Sequence, residues 1–213
     1  MTPAPARRRH PRFVTFEGVD GAGKSTHLAW FADALAVRSG TEVVVTREPG
    51  GTPVGEAIRT LVLRQPMHLE TEALLMFAAR RQHVADVIAP ALARGAWVVC
   101  DRFTEATVAY QGGGRGLSRD YIETLRRLVH PDLEPGCTVL FDLAPAIARA
   151  RLDAARDRDR FEEEADAFFV RVREAYLSAA GEEGGVTFVL DASEKPSEVQ
   201  KRLEDLLASI CPD

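Results

Sequence analysis

Between Gly18 and Ser25 the chain reads Gly-Val-Asp-Gly-Ala-Gly-Lys-Ser: a glycine, four residues, a glycine, then lysine and serine. Glycines at that spacing let backbone N–H groups curl around a polyphosphate, and a helix starting there points its positive end at the same anion. Lys24 can bridge a β- and a γ-phosphate, and Ser25 can offer its hydroxyl to Mg2+. The residues expected to touch an ATP donor are Gly18, Val19, Asp20, Gly21, Ala22, Gly23, Lys24, Ser25 and Thr26. A phosphate loop alone leaves kinase, GTPase and motor readings open. The chain contains no asparagine, so the Asn-Lys-x-Asp element with which GTPases read guanine is absent.

Three further groupings bear charge where chemistry would need it. Asp101-Arg102 follows the apolar run Trp97-Val98-Val99-Cys100, so a carboxylate can hold the shell of a metal ion, partly through water, while Arg102 grips an anion. Arg47-Glu48-Pro49-Gly50-Gly51 puts a cation and an acid next to a turn. Phe77, Arg80 and Arg81 set an aromatic ring beside guanidinium groups, a combination suited to a nucleobase. The last two also have a plain structural reading: a polar turn, and a core phenylalanine flanked by surface arginines.

The elements that must position these groups follow from periodicity. Phe13 to Phe16, Glu42 to Thr46, Trp97 to Cys100, Thr138 to Leu143 and Val186 to Leu190 read as strands. Helical spacing appears over 24–38, 54–63, 70–94, 118–129, 145–155, 163–180 and 195–210, the fourth of these preceded by a glycine-rich stretch, Gly112 to Gly116. Apolar strands alternating with helices predict an α/β fold: a parallel sheet of about five strands, helices on both faces, ligands at the carboxyl ends of the strands.

Composition bounds the rest. With 213 residues, 46% of them hydrophobic, one core domain over 13–213 is expected. A formal charge of −5 and a pI near 5.6 argue against a nucleic-acid-coating protein. Cys100, Cys137 and Cys211 have no ligand-like spacing, and no apolar run is long enough for a membrane span, which fits a reducing cytoplasm. Residues 1–12, with Arg7, Arg8, Arg9 and Arg12 among prolines and alanines, read as a disordered leader.

Taken in order, these pieces resemble bacterial thymidylate kinase and its P-loop kinase fold. The resemblance rests on Phe-Glu-Gly-Val-Asp-Gly-Ala-Gly-Lys-Ser at 16–25, Thr-Arg-Glu-Pro-Gly-Gly at 46–51, Ala-Ala-Arg at 78–80, Asp-Arg-Phe at 101–103, Ala-Tyr-Gln-Gly-Gly-Gly-Arg-Gly at 109–116 and Asp-Arg-Phe-Glu at 159–162. It implies transfer of the γ-phosphoryl group of ATP to dTMP with Mg2+, in a cytoplasmic homodimer. By the same resemblance Asp20 approaches the acceptor sugar's 3′-hydroxyl, Arg59 and Arg102 hold the dTMP phosphate, and Glu48 is the acid near the metal. Arg80 faces the thymine edge, Thr107 and Gln111 hydrogen-bond the base, and Tyr110 crowds C2′.

Met76 stands four residues before Arg80, where the family usually has a phenylalanine that stacks on thymine. Either Phe77 is presented to the base or Met76 packs there; Arg80 with Phe77 nearby is the arrangement expected. Because Val19 to Ala22 carry no cation, the charge for the transition state is expected from a short arginine-rich lid at about 149–163. Arg156 and Arg158 are the candidates there and Arg151 the reserve. A kinase of another monophosphate or of a deoxynucleoside, and a non-catalytic nucleotide switch, are the competing readings.

Overall fold

The computed structural model describes residues 8–153, 160–161, 164–181 and 186–212. In chain order its elements are β1 (Arg9–Glu17), α1 (Lys24–Ser39), β2 (Val43–Arg47), α2 (Pro53–Arg64), α3 (Leu69–His83), α4 (Ala89–Ala93), β3 (Trp97–Asp101), α5 (Thr104–Thr107), α6 (Arg119–Val129), β4 (Glu134–Asp142), α7 (Pro145–Asp153), α8 (Asp166–Ala180), β5 (Thr187–Asp191) and α9 (Pro196–Ile210). The strands form one parallel sheet in the order β2-β3-β1-β4-β5.

Successive residues of the central strands serve opposite faces, so each strand reads as continuously apolar. Val14, Phe16 and Val99 pack with Leu28, Phe31 and Leu35 of α1, whereas Phe13, Val98 and Cys100 pack with Val84, Ile88, Ala91 and Leu92. The connection leaving β1 runs to β2 and the one leaving β3 runs to β4, in opposite directions across the sheet, which opens a crevice at their carboxyl ends. The pairing of Phe16 with Asp101, and of Asp101 with Arg47, brings all three motif-bearing strand ends to that crevice.

Three local expectations are corrected. Arg9–Arg12 do not belong to a disordered leader: they open β1, with Arg9 opposite Glu134 and His10 opposite Pro135, and Glu134 N–H donates to Arg8 O at 3.0 Å. The start of β4 provides these backbone partners; residues 1–7 lie outside the described residues. The helix expected over 70–94 passes through a wide turn at Val84–Ile88 before α4, which takes Pro90 into its first turn, where a missing N–H is tolerated. The glycine stretch is no simple spacer, because Gly112–Gly114 sit inside a second wide helical turn, Val108–Gly114. A Cβ on Gly113 would lie 2.4 Å from Ala175 Cβ, and one on Gly114 2.4 Å from the Phe168 ring. Those glycines let α8 pack directly on backbone.

Candidate active site

The phosphate loop runs from β1 into α1 through Gly18, Gly21 and Gly23, all at positive φ. A Cβ on Gly18 would meet Phe141 O at 2.5 Å, so glycine is required there by packing as well as by dihedral. Lys24 is buried and its Nζ donates to Gly18 O (2.9 Å) and Val19 O (3.0 Å), curling over the loop. Burial and the Arg102 charge lower the Lys24 pKa, while Asp101, Asp20 and Glu17 oppose that shift. Ser25 and Thr26 are exposed at the start of α1. Asp101 Oδ1 is buried with no hydrogen-bond partner among the described residues. A lone buried carboxylate oxygen is costly unless a cation or water meets it, so Asp101 and the Ser25 hydroxyl fit a divalent ion that carries phosphates.

Beside the loop lies a cleft of about 610 Å³. Asp20, Arg59, Arg102 and Tyr110 line it toward the loop, and Glu48, Met76, Arg80, Thr107, Gln111 and Phe161 are among the residues of its remaining wall. The structure therefore brings together every residue expected at an acceptor except Phe77.

Phe77 is 1% exposed and belongs to a cluster with Leu117, Ile122 and Leu125. Its ring stacks on His130 at 6.3 Å, with the Arg80 guanidinium over it at 4.7 Å. Met76 takes the cleft position instead, because residues 76 and 80 are four apart on one helix face while 77 is turned about 100° away. The phenylalanine expected against a base is a core residue of α3 and α6.

Arg102 has φ 71°, the one positive value outside glycine among the described residues. Its N–H donates to Phe16 O (2.9 Å), which fixes the turn off β3. Its Nη2 donates to Asp20 Oδ1 (2.7 Å) and Tyr110 OH (3.2 Å), its Nη1 to Tyr176 OH (3.0 Å), and its guanidinium lies 4.9 Å from the Tyr110 ring centre. Tyr110 OH in turn donates to Asp20 Oδ2 at 3.0 Å. Burial alone would raise the Asp20 carboxyl pKa, but Arg102 and Lys24 bring it below its ordinary range. Burial raises the Tyr110 phenol, so the ring stays neutral. Arg59 donates to Pro49 O at 3.0 Å and leans into the same end of the cleft.

At the other end Arg80 is held by three groups. Its Nε donates to Glu48 Oε2 (2.6 Å), and its Nη2 to Phe103 O (3.0 Å) and Thr107 Oγ1 (3.2 Å). Glu48 Oε1 takes His83 Nδ1 at 2.9 Å, and His83 Nε2 meets Thr46 Oγ1 at 2.6 Å. Both Glu48 oxygens are thus engaged by neighbouring side chains, and although burial alone would raise its pKa, Arg80 and His83 leave it lowered. What remains of Arg80 is Nη1, buried and without a partner among the described residues.

Of the arginine-rich segment, Arg156 and Arg158 lie outside the described residues. Arg151 donates to Ala192 O at 3.1 Å and reaches Gly21 O of the phosphate loop at 3.5 Å. Arg149 is tied to Glu164 O and Asp166.

The family model for thymidylate kinase matches residues 16–203. The chain belongs to the thymidylate kinase family. A thymidylate kinase of Paraburkholderia xenovorans is 58% identical over 200 residues, covering 92% of this chain and 97% of that protein. One of Paraburkholderia phytofirmans is 59% identical over 200 residues with the same coverage. The crystal structure of thymidylate kinase from Ehrlichia chaffeensis, at 31% identity, matches with a TM-score of 0.75 over 95% of this chain and 99% of that one.

Several site-supporting groups in this chain carry no sequence signal of their own. Glu17 is fully buried, accepts from Phe103 N–H (2.7 Å) and Tyr176 OH (3.0 Å), and has its pKa pushed up to about 7 by burial, partly offset by Arg102 and the Phe103 N–H. Tyr176 comes from α8, 159 residues downstream in sequence. His83 reads as one more helical polar residue until Thr46 and Glu48 are brought to it. The one local hint was a glutamate ending an apolar strand just before the glycines.

Proposed function

We propose that this enzyme transfers the γ-phosphoryl group of ATP to dTMP, giving dTDP and ADP, through the residues that meet in the cleft beside the phosphate loop. The observation that carries the reading is the polarity of that cleft. Arg59 and Arg102 stand at the end nearest Lys24, and Arg80, whose Nη1 has no partner among the described residues, lines the other with Thr107 and Gln111. A nucleoside monophosphate laid along it has its phosphate between the two arginines and its base against Arg80.

In the transfer, a dTMP phosphate oxygen attacks the γ-phosphorus, the bond to the β–γ bridging oxygen breaks, and ADP leaves with the electron pair. No general base is needed, since the attacking phosphate is already an anion. Lys24 leaves the Gly18 and Val19 carbonyls for the β- and γ-phosphates, and the loop N–H groups hold the β-phosphate. Arg102, aligned by Asp20 and Tyr176, keeps the acceptor oxygen in line. Tyr110, locked by its bond to Asp20, fills the space over C2′ and excludes a ribose hydroxyl sterically. Glu48 acts as the anchor of Arg80.

Asp101 and Ser25 are the groups that would hold Mg2+, Asp101 partly through water. When bound, the ion offsets charge on the phosphate oxygens. Arg156 and Arg158 are proposed to supply the cation for the transferring group, with Arg151 against the donor loop. No described helix is long and apolar enough to cross a membrane. We place the enzyme in the cytoplasm as a homodimer, as its membership of the family implies.

The test is ADP production with Mg·ATP and, separately, dTMP, dUMP, dCMP, dGMP, AMP or thymidine, for the native chain and Lys24→Ala. Turnover on dTMP that is lost in the variant supports the reading. Turnover restricted to another acceptor, or tight ATP binding without turnover, overturns it.

A further inference from the structure

Glu72 sits in the first turn of α3 with a side chain that is 0% exposed. It lies four residues before Met76 and eight before Arg80, on the helix stripe that faces the cleft. A carboxylate so buried must be fully engaged, and this one is. Oε2 accepts from Arg115 Nη1 (2.8 Å) and from Arg160 Nη2, and Oε1 accepts from Gln111 Nε2 (2.7 Å). Arg115 and Arg160 are themselves fixed: Arg115 pairs with Glu164 and lies over the Phe161 ring at 5.2 Å, and Arg160 donates to Val62 O at 3.1 Å.

The consequence falls on Gln111. A side-chain amide has a donor end and an acceptor end that are nearly the same shape, so its orientation must be set by a neighbour. Guanidinium groups can only donate, so an acid shared with two of them meets Gln111 as an acceptor. The Gln111 NH2 is thereby turned to Glu72, and Oε1 becomes the amide atom on the cleft side. Arg80 lines the same wall, and a guanidinium can only donate; its Nη1 has no partner among the described residues. The wall therefore presents one donor and one acceptor. A 4-oxo pyrimidine shows O4, an acceptor, next to N3–H, a donor, and matches both. A 4-amino pyrimidine shows the reverse pair and matches neither.

We propose that Glu72 is the specificity-determining positioning residue of the base site: it touches no substrate, and it makes the enzyme take a 4-oxo pyrimidine and refuse a 4-amino one by fixing which end of Gln111 faces the base. This rests on the acceptor reading above.

The experiment compares kcat/KM for dTMP and dCMP in the native chain, Glu72→Gln, Glu72→Asp and Gln111→Leu, and in the double variant Glu72→Gln/Gln111→Leu. Glu72→Gln can donate as well as accept and so frees the Gln111 amide to turn. Glu72→Asp keeps the charge that the two arginines need but withdraws it by one methylene, so a folded variant is available if Glu72→Gln does not fold. The dTMP/dCMP ratio should narrow by about tenfold or more in either variant, through a higher KM for dTMP, with the KM for ATP unchanged. With Gln111 already Leu, the Glu72→Gln change should leave the ratio where it was. A fall by one common factor for both acceptors, or the same narrowing without Gln111, would overturn the proposal while leaving the dTMP reading intact. A native chain that does not use dTMP would sink that reading and this proposal with it.

Discussion

Arg102 reaches Asp20 at 2.7 Å from a backbone at φ 71°, so the cation that faces the acceptor is delivered by a residue in a conformation that side chains disfavour. Such a conformation costs on the order of 1–3 kcal/mol and persists because the surroundings over-determine it. Here the Phe16 carbonyl, Asp20, Tyr110 and Tyr176 all hold Arg102 in place.

Arg102→Lys keeps the charge and loses the planar fork that serves Asp20 and Tyr176 together. The expected result is a fall of roughly ten- to a hundredfold in kcat/KM for dTMP with little change in ATP affinity. Steady-state kinetics with each substrate varied would read this, and an unchanged kcat/KM would refute the alignment role.

Met76 and Phe77 should separate cleanly. Phe77→Ala empties a buried position and should destabilise by about 3–5 kcal/mol in denaturant titration. Met76→Phe replaces a flexible wall of the cleft with a flat one and should fold normally, with a lower KM for dTMP. If Met76→Phe left KM unchanged while conservative changes at Phe77 altered it, the helix phase described above would be wrong.

Glu17 gives a pH signature. Its folded pKa, about 7, lies above the ordinary 4.5, so the native state holds the proton more tightly than the unfolded chain. Its contribution is fully present below about pH 4.5 and is lost as pH rises through 7, on the order of 3 kcal/mol in all. Relative to Glu17→Gln, native stability should fall between pH 5 and 8. A stability difference that is flat over that range would show that Glu17 does not titrate there.

Gly114→Ala would drive a methyl group to 2.4 Å from the Phe168 ring. A loss of about 1–3 kcal/mol is expected, together with a raised KM for dTMP, because Tyr110 and Gln111 share that turn. Thermal unfolding and kinetics on the one variant check both halves.

The lysine and serine after spaced glycines, the strand ends at Arg47-Glu48 and Asp101-Arg102, and the alternation of apolar strands with helices were legible in the sequence, because those properties depend on neighbours a few residues apart. That local spacing was enough to specify a phosphate site and the layered α/β architecture, whereas Asp20, Arg59, Thr107, Tyr110 and Gln111 were assigned to the acceptor through the family resemblance.

The remaining features depended on contacts between distant segments. Whether Met76 or Phe77 met the cleft turned on where α6 lay against α3. That Glu48 anchors Arg80 depended on His83, 35 residues away, taking its other oxygen. The glycines at 112–114 resembled a loop until α8 was laid upon them. The orientation of Gln111 was decided by Glu72, 39 residues earlier, and by two arginines from other segments. A hydrogen bond is set by distances of a few tenths of an ångström, and only the packed chain brings those partners that close.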